Sequence, residues 1–322
     1  MPAVRRLPAS LGLSVLLCPA PPARAGSRVP AVASYRIEAT WDEERKTLAG
    51  RETVFFVNRT AREFPDVLLH LYLNGFRNTR STLSRGLPPP SGSDDFGACE
   101  LKRVALHDGT DLTRRVSFSP PGAGNPDDRT LARIPLPRPV RPGETLVLEV
   151  DFESRLPRGV LRTGWKDDFV FAGQWFPKLA KATERGWRGR PFHPSTEFFA
   201  DFGDYDVTLL LPGEVRGKVA VTGRVVEETA DEAGRVRVRA RAEDVHDFAF
   251  SFSPRFEVKR EIVAPKGQPK VEVLLFLHAD VELPAYAPER IAAALADPAV
   301  GGGAFRTWTV PDGRRTWLAP LL

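Results

Sequence analysis

The amino-acid sequence predicts a mainly β protein: a large β-sandwich or sheet-rich domain followed by a short α/β tail fragment. Three observations predict it. Thirty prolines and 26 glycines stand against a single Met in 322 residues, a balance that gives many turns and few long helices. Apolar and polar residues alternate in several short runs, the period of a half-buried strand. These runs recur at regular spacing with turn signals between them, as in a sandwich. With 42% hydrophobic residues, the chain has the material for a core.

The chain opens with the layout of an export signal. Arg5 and Arg6 precede an apolar run over Leu7 to Leu17, and Pro19 to Ala25 ends in Ala-Arg-Ala. Residues 1–25 therefore read as a signal peptide, and the protein as exported, periplasmic or extracellular. The run is too short for a permanent membrane span, and no later segment approaches that length. Arg5, Arg6, Arg24 and Arg28, with no acid in the first 34 residues, carry four of the five net positive charges. The sequence pI near 9.4 is thus explained without a nucleic-acid partner, and none is expected. Cys18 falls in the signal, which leaves Cys99 a lone thiol and excludes a disulfide framework. The fold must be held by its core.

Tyr35, Ile37, Ala39 and Trp41 alternate with polar residues, a turn follows over Asp42 to Lys46, and Val54 to Val57 resumes a strand, so Tyr35 to Asn58 reads as a hairpin. Val67 to Leu73 is another strand, with Leu69, Leu71 and Leu73 on one face and His70 and Tyr72 on the other. Ser81 to Gly97, rich in Pro, Gly and Ser, is a loop. Strands follow at Leu101 to Leu106, Thr130 to Leu136 and Glu144 to Phe152, with Pro135, Pro137, Pro139 and Pro142 separating the last two. A further set covers Tyr205 to Leu211, Lys218 to Val221, Arg235 to Ala240 and Phe248 to Phe252. Gly164 to Gly203 holds about a third of the aromatic residues with little periodicity. Two readings stand for it: a pocket wall, or a long loop packed over the sandwich.

Several stretches carry a resemblance. Tyr35-Arg-Ile-Glu-Ala-Thr, Gln174-Trp-Phe-Pro-Lys-Leu, Gly186-Trp, Pro191-Phe-His, Glu197-Phe-Phe-Ala-Asp-Phe-Gly-Asp-Tyr-Asp-Val-Thr-Leu, Val221-Thr-Gly and Glu243-Asp-Val-His-Asp-Phe-Ala-Phe together resemble the N-terminal domain of M1-family zinc metallopeptidases, the aminopeptidase N-like group, over about residues 34–273. The resemblance implies a saddle-like β-sheet domain over residues 34–270 that caps a peptide-binding cleft, with peptide as the partner of the parent family. It also implies a zinc in a following domain, on a helix with H-E-x-x-H, where two histidines one turn apart share the metal. This chain has His70, His107, His193, His246 and His278, no two of them four apart, and no internal Met for the G-x-M-E-N motif. The chain as it stands is expected to hold no cofactor and to be non-catalytic.

One residue of the resemblance carries over. Gln174 matches the position at which family members place a Glu or Gln against the free N-terminus of the substrate, and a side-chain carbonyl can accept from an ammonium. The plainer reading is a Gln that satisfies loop backbone groups. Isolated histidines such as His193 and His246 read as ordinary hydrogen-bonded residues. Asp201, Asp204 and Asp206 lack the rest of a calcium loop and read as turn and strand-entry residues.

The tail reads differently. Val273-Leu-Leu-Phe-Leu-His-Ala-Asp-Val-Glu-Leu-Pro, then Ile291 to Arg306 and Trp317 to Leu322, resemble part of a family 2 (GT-A fold) glycosyltransferase over about residues 273–322. A continuous apolar run is what a strand inside a parallel sheet shows, and a carboxylate at its end lies where α/β sheets bind ligands. The resemblance implies that Asp280 ligates Mn or Mg beside a nucleotide-sugar diphosphate, with a helix over Glu289 to Asp297. Residues 271–322 are too few for such a domain, so the chain reads as a composite: a capping domain without its H-E-x-x-H domain, joined to a partial glycosyltransferase segment. The alternatives are a glycosyltransferase-like protein using Asp280 and a generic β-sandwich binding module.

Overall fold

The computed structural model describes residues 31–85, 96–118, 125–159, 162–195, 197–263, 271–277, 281–282, 305–309 and 315–320. Two compact units divide the chain, one spanning Arg28–Phe252 and one that includes Ser253–Leu322. The protein is mainly β. Among the described residues the helical pieces are short 3-10 turns at Tyr72–Phe76, Thr113–Arg115 and Gly213–Val215, and no helix is long and apolar enough to cross a membrane. Residues 1–25 lie outside the described residues.

In the Arg28–Phe252 unit the strands are β1 (Ala33–Asp42), β2 (Thr47–Val57), β3 (Phe64–His70), β4 (Ala98–Leu106), β5 (Leu131–Val140), β6 (Thr145–Arg155), β7 (Gly164–Lys166), β8 (Phe169–Ala172), β9 (Lys178–Leu179), β10 (Lys181–Thr183), β11 (Gly186–Arg188), β12 (Gly203–Leu211), β13 (Val219–Val221), β14 (Arg224–Ala230), β15 (Val236–Val245) and β16 (Phe250–Phe252). A seven-stranded sheet runs in the order β14-β15-β12-β1-β2-β6-β4. Its one parallel pair is β1 with β12. Parallel partners need a long crossover, and here the connection is most of the intervening chain.

Alternation decides which way this sheet faces. In β1, Ala33, Tyr35, Ile37, Ala39 and Trp41 are buried and Glu38 is exposed, so one face meets the core and the other meets water. The wet face is tied across strands by Arg51 to Asp151 at 2.7 Å, Arg45 to Glu153 at 3.2 Å and Arg239 to Asp206 at 2.7 Å. Such exposed pairs set register more than stability. The inner face shares one core with the sheets β5-β3-β9 and β13-β16-β8-β7, through Phe56, Val150 and Val207 on one side and Leu69, Ile134, Phe250 and Trp175 on the other.

Several elements differ from the sequence expectation. The strand expected at Val67 to Leu73 lies at Phe64–His70 and gives way to a 3-10 turn. β3 is central between β5 and β9, and packing covers both of its faces: Val67 and Leu69 join the main core, and Leu68 packs with Leu131 and Ala180. The prolines expected to end a strand sit within β5, which runs on to Val140 through Pro135, Pro137 and Pro139. β5 is an edge strand with a register shift beside Pro135, and an edge tolerates residues that lack an N–H. β14, with no inward apolar face, is almost wholly exposed at the edge of the large sheet and carries no alternation to read.

Most of the aromatic-rich segment packs inward. Trp175, Phe176 and Phe192 are buried, and the indole N–H groups of Trp175 and Trp187 donate to the carbonyls of Phe248 at 3.1 Å and Asp66 at 2.9 Å. Phe199 and Phe202 remain exposed.

Glu52 breaks the inward pattern of β2. Opposite Ile37 and Val150, it is fully buried and neither carboxyl oxygen has a partner among the described residues. Burial holds its pKa well above the usual 4.5, so folded Glu52 keeps a proton that the unfolded chain gives up. Stability is then full below about pH 4.5 and falls as pH rises, by about 1.4 kcal/mol per pH unit until the folded value is reached. Glu52→Gln is expected to flatten that fall, so that its stability relative to the wild type rises from about pH 4.5 to pH 7. Urea midpoints with the same pH dependence in both proteins would overturn this.

In the second unit, β17 (Glu257–Val263) pairs antiparallel with β18 (Val271–Leu277), and β21 (Arg315–Pro320) pairs parallel with β19 (Val281–Glu282) and antiparallel with β20 (Phe305–Thr309). The apolar run at β18 was expected inside a parallel sheet and instead forms a hairpin. Seven residues, 264–270, link the two strands in sequence, and a link that short permits only an antiparallel neighbour. Asp280, the helix expected at Glu289 to Asp297 and Gly301 to Gly303 lie outside the described residues.

Candidate functional site

The register of β8 against β16 builds the site. Ala172 stands opposite Phe250, so continuing past Ala172 brings Gln174 beside the residues that precede Phe250. The backbone at Gln174 turns into the left-handed region, φ 52°. A non-glycine residue there costs on the order of 1–3 kcal/mol and persists only where its surroundings fix it.

The amide of Gln174 is fixed by Asp247. Gln174 Nε2 donates to Asp247 Oδ2 at 2.5 Å, and Lys178 Nζ donates to Asp247 Oδ1 at 2.5 Å and to the His246 carbonyl at 3.3 Å. A carboxylate only accepts, which orients the amide and leaves Gln174 Oε1 buried without a partner among the described residues. Lys178 is wholly buried, Gln174 is 5% exposed, and the Asp247 side chain is 20% exposed. Asp247 is therefore the member of the trio that solvent reaches. Burial lowers the pKa of Lys178, against which the Asp247 carboxylate acts.

A ring of aromatic and imidazole groups surrounds the trio. Lys178 Nζ lies 5.5 Å from the centre of the Phe176 ring. His246 Nε2 accepts from the Ala200 N–H at 3.1 Å, and its ring meets Phe202 at 5.6 Å. Burial first, and then the Lys178 ammonium, lower its pKa, so His246 is neutral at pH 7. His70 of β3, paired with Lys178 of β9, stacks on Tyr72 at 4.6 Å, and the Tyr72 hydroxyl accepts from the Phe199 N–H at 3.0 Å.

Of the residues weighed in the sequence, Gln174 stands in this cluster together with His246. The sequence offered no sign that Asp247 joins Gln174 and Lys178: it lies 73 and 69 residues further along the chain and meets them through the pairing of β8 with β16, although all three fall inside the stretches that carry the resemblance. His193 is exposed and accepts from the Ser195 N–H at 3.1 Å. Asp201 holds Lys181 at 2.8 Å, Asp204 accepts from the Asp244 N–H at 2.9 Å, and Asp206 binds Arg239 and Arg241. These are the turn and strand roles that their spacing implies.

The described residues do not fit a zinc site. Among the described residues no three His, Cys, Asp or Glu side chains stand together where they could hold a metal. The Mn or Mg reading rests on Asp280 and lies outside the described residues.

No family model matches the sequence, and no curated protein matches it. Solved structures do. An M1 zinc metallopeptidase from Deinococcus radiodurans is 18% identical over 89% of this chain and 55% of its own, with a TM-score of 0.49. A mutant of that enzyme bound to a Tyr-ser-ala substrate is 16% identical with the same coverage and TM-score. Legionella pneumophila aminopeptidase A in complex with aspartic acid is 12% identical over 84% of this chain and 26% of its own, with a TM-score of 0.47. The chain thus spans about half or less of the length of these structures.

Proposed function

We propose that the Arg28–Phe252 unit is a non-catalytic, substrate-cleft-capping domain of the metallopeptidase type, and that it recognises the free amino end of a peptide at Gln174 and Asp247. The observation that carries this reading is the Gln174 amide. Its backbone is held in a costly left-handed conformation, its Nε2 is tied to Asp247, and its Oε1 is left without a partner. A buried acceptor with nothing to accept costs about 1–3 kcal/mol, and an ammonium supplies the missing donors. The carboxylate beside it adds charge that favours a cation. Oε1 is covered in the present arrangement, so the ligand first meets Asp247, and its approach to Gln174 displaces neighbouring atoms. The resemblance of the Gln174-Trp-Phe-Pro-Lys-Leu stretch supports the same residue.

The test is calorimetric binding of alanyl-glycine amide and of its N-acetylated form to the whole protein, with and without zinc. The free amine is expected to bind and the acetylated form to lose at least about tenfold, the loss of one charge-assisted hydrogen bond. Gln174→Ala is expected to lose about as much while still unfolding cooperatively. Equal affinity of the Ala variant would leave Gln174 a loop-stabilising residue. Hydrolysis of an aminoacyl arylamide, or one zinc bound per chain, would overturn the non-catalytic reading.

A further inference from the structure

Among the described residues β14 ends the seven-stranded sheet, with β15 as its neighbour there. An end strand presents a row of unpaired N–H and C=O groups, a template for another strand. The register against β15 places its side chains. Arg224 stands opposite Arg241, and Glu227 opposite Arg239. Three steps along a regular strand change faces, but the register shift between Val225 and Glu227 inserts one extra residue. Arg224 and Glu227 therefore both lie on the wet face, with Arg239 and Arg241. Those two arginines already have a carboxylate: Asp206 accepts from Arg239 at 2.8 and 2.7 Å and from Arg241 at 3.1 Å. Arg224 thus faces a like charge, which weakens a strand pair, and among the described residues neither Arg224 nor Glu227 makes an ion pair. Between them Val225 and Val226 are 40% and 39% exposed, so an apolar pair sits in water at the middle of this charged edge.

We propose that β14 pairs antiparallel with β14 of a second copy of this chain, about a two-fold axis between Val225 and Val226. In this register Arg224 of each copy stands opposite Glu227 of the other. Both uncompensated charges then find a partner, twice over, and the repulsion between Arg224 and Arg241 is offset. Val225 stands opposite Val226 of the other copy, which takes apolar surface out of water. The occupant is a second copy because the order Arg-Val-Val-Glu complements itself when reversed, as a two-fold contact requires of a single patch. One short strand pair is a small interface, so the association is weak, with a dissociation constant on the order of 100 µM.

Sedimentation equilibrium of the whole protein, from about 5 µM to about 500 µM, brackets that constant and is expected to show monomer passing into dimer. Glu227→Arg and Arg224→Glu, each alone, set like charges opposite each other across the axis and are expected to weaken the dimer by at least about tenfold. An equimolar mixture of the two variants is expected to associate again, because one copy then offers two arginines and the other two glutamates. That recovery also shows that both variants keep the fold. A wild type that stays monomeric over the whole range overturns the proposal, and the charges and bulge of β14 then serve to keep the edge unpaired. A dimer indifferent to both variants overturns it as well, since the contact then lies on another surface. So does a mixture no more associated than its components when each variant alone still unfolds cooperatively in urea.

Discussion

Asp247→Ala is expected to lower the unfolding free energy of the protein by about 3–5 kcal/mol, the usual effect of leaving one member of a buried ion pair alone. The expectation follows from an asymmetry within the pair. The Lys178 side chain is 1% exposed and the Asp247 side chain 20% exposed, so the ammonium cannot reach water when its partner is removed, whereas the carboxylate can. Without Asp247, the hydrogen bond left to Lys178 Nζ among the described residues is the one to the His246 carbonyl at 3.3 Å, and Gln174 Nε2 loses its acceptor. Lys178→Met, which removes the buried charge itself, should therefore cost clearly less than Asp247→Ala. The double variant should recover much of the loss, a coupling that a double-mutant cycle reads directly. Urea unfolding at neutral pH provides all four values. A loss below about 1 kcal/mol for Asp247→Ala would mean that Lys178 finds water or another partner, and would remove the reason for Gln174 to be held where it is.

The parts of this fold that the sequence made legible are those whose physics is local. Tyr35, Ile37, Ala39 and Trp41 keep a strict period of two, and they line the inner face of β1. Leu148, Val150 and Phe152 do the same in β6. The start of β2 was not legible, because the residue on the inward parity is Glu52, and a charged residue at a core position reads as the end of a strand. β14 lacks an apolar face altogether, since nothing covers either side of it. In β5 the prolines read as punctuation, and only the edge position of that strand in its sheet accounts for them. β18 shows a further limit: a continuous apolar run does not distinguish a parallel from an antiparallel neighbour, and here the short link to β17 decides it.

The site divides along the same line. Gln174 could be singled out because it stands in a stretch with a recognisable order of residues. Its partners could not, because the contact between Gln174 and Asp247 is produced by the pairing of Ala172 with Phe250, a non-local event with no period in the sequence. The left-handed backbone of Gln174 is equally silent in the sequence, since Gln has no preference for that region.

The second large effect is expected on the acid side and comes from His70. This ring is 2% exposed, neither of its nitrogens has a partner among the described residues, and it stacks on Tyr72 with an interplanar angle of 7°. Burial first, and then the Lys178 ammonium, lower its pKa from the usual 6.5 to about 3. Between those two values the unfolded chain binds a proton that the folded chain refuses, so stability falls as pH falls through this window and is unaffected by His70 above it. At about 1.4 kcal/mol per pH unit, the full window amounts to roughly 4–5 kcal/mol. Exposed ion pairs such as Arg239 with Asp206 also weaken in acid, but each contributes little, and they are common to wild type and variant. His70→Phe keeps an aromatic ring against Tyr72, removes the two unpaired nitrogens and cannot take up a proton. Glu52 acts in the opposite sense above about pH 4.5 in both proteins, so the difference between them carries the effect: the urea midpoint of the variant should rise relative to that of the wild type as pH falls from about 7 to about 4. Parallel slopes for the two proteins over that range would show that His70 finds a proton or a partner inside the fold, and the buried cluster around Lys178 would then be wetter than the geometry makes it.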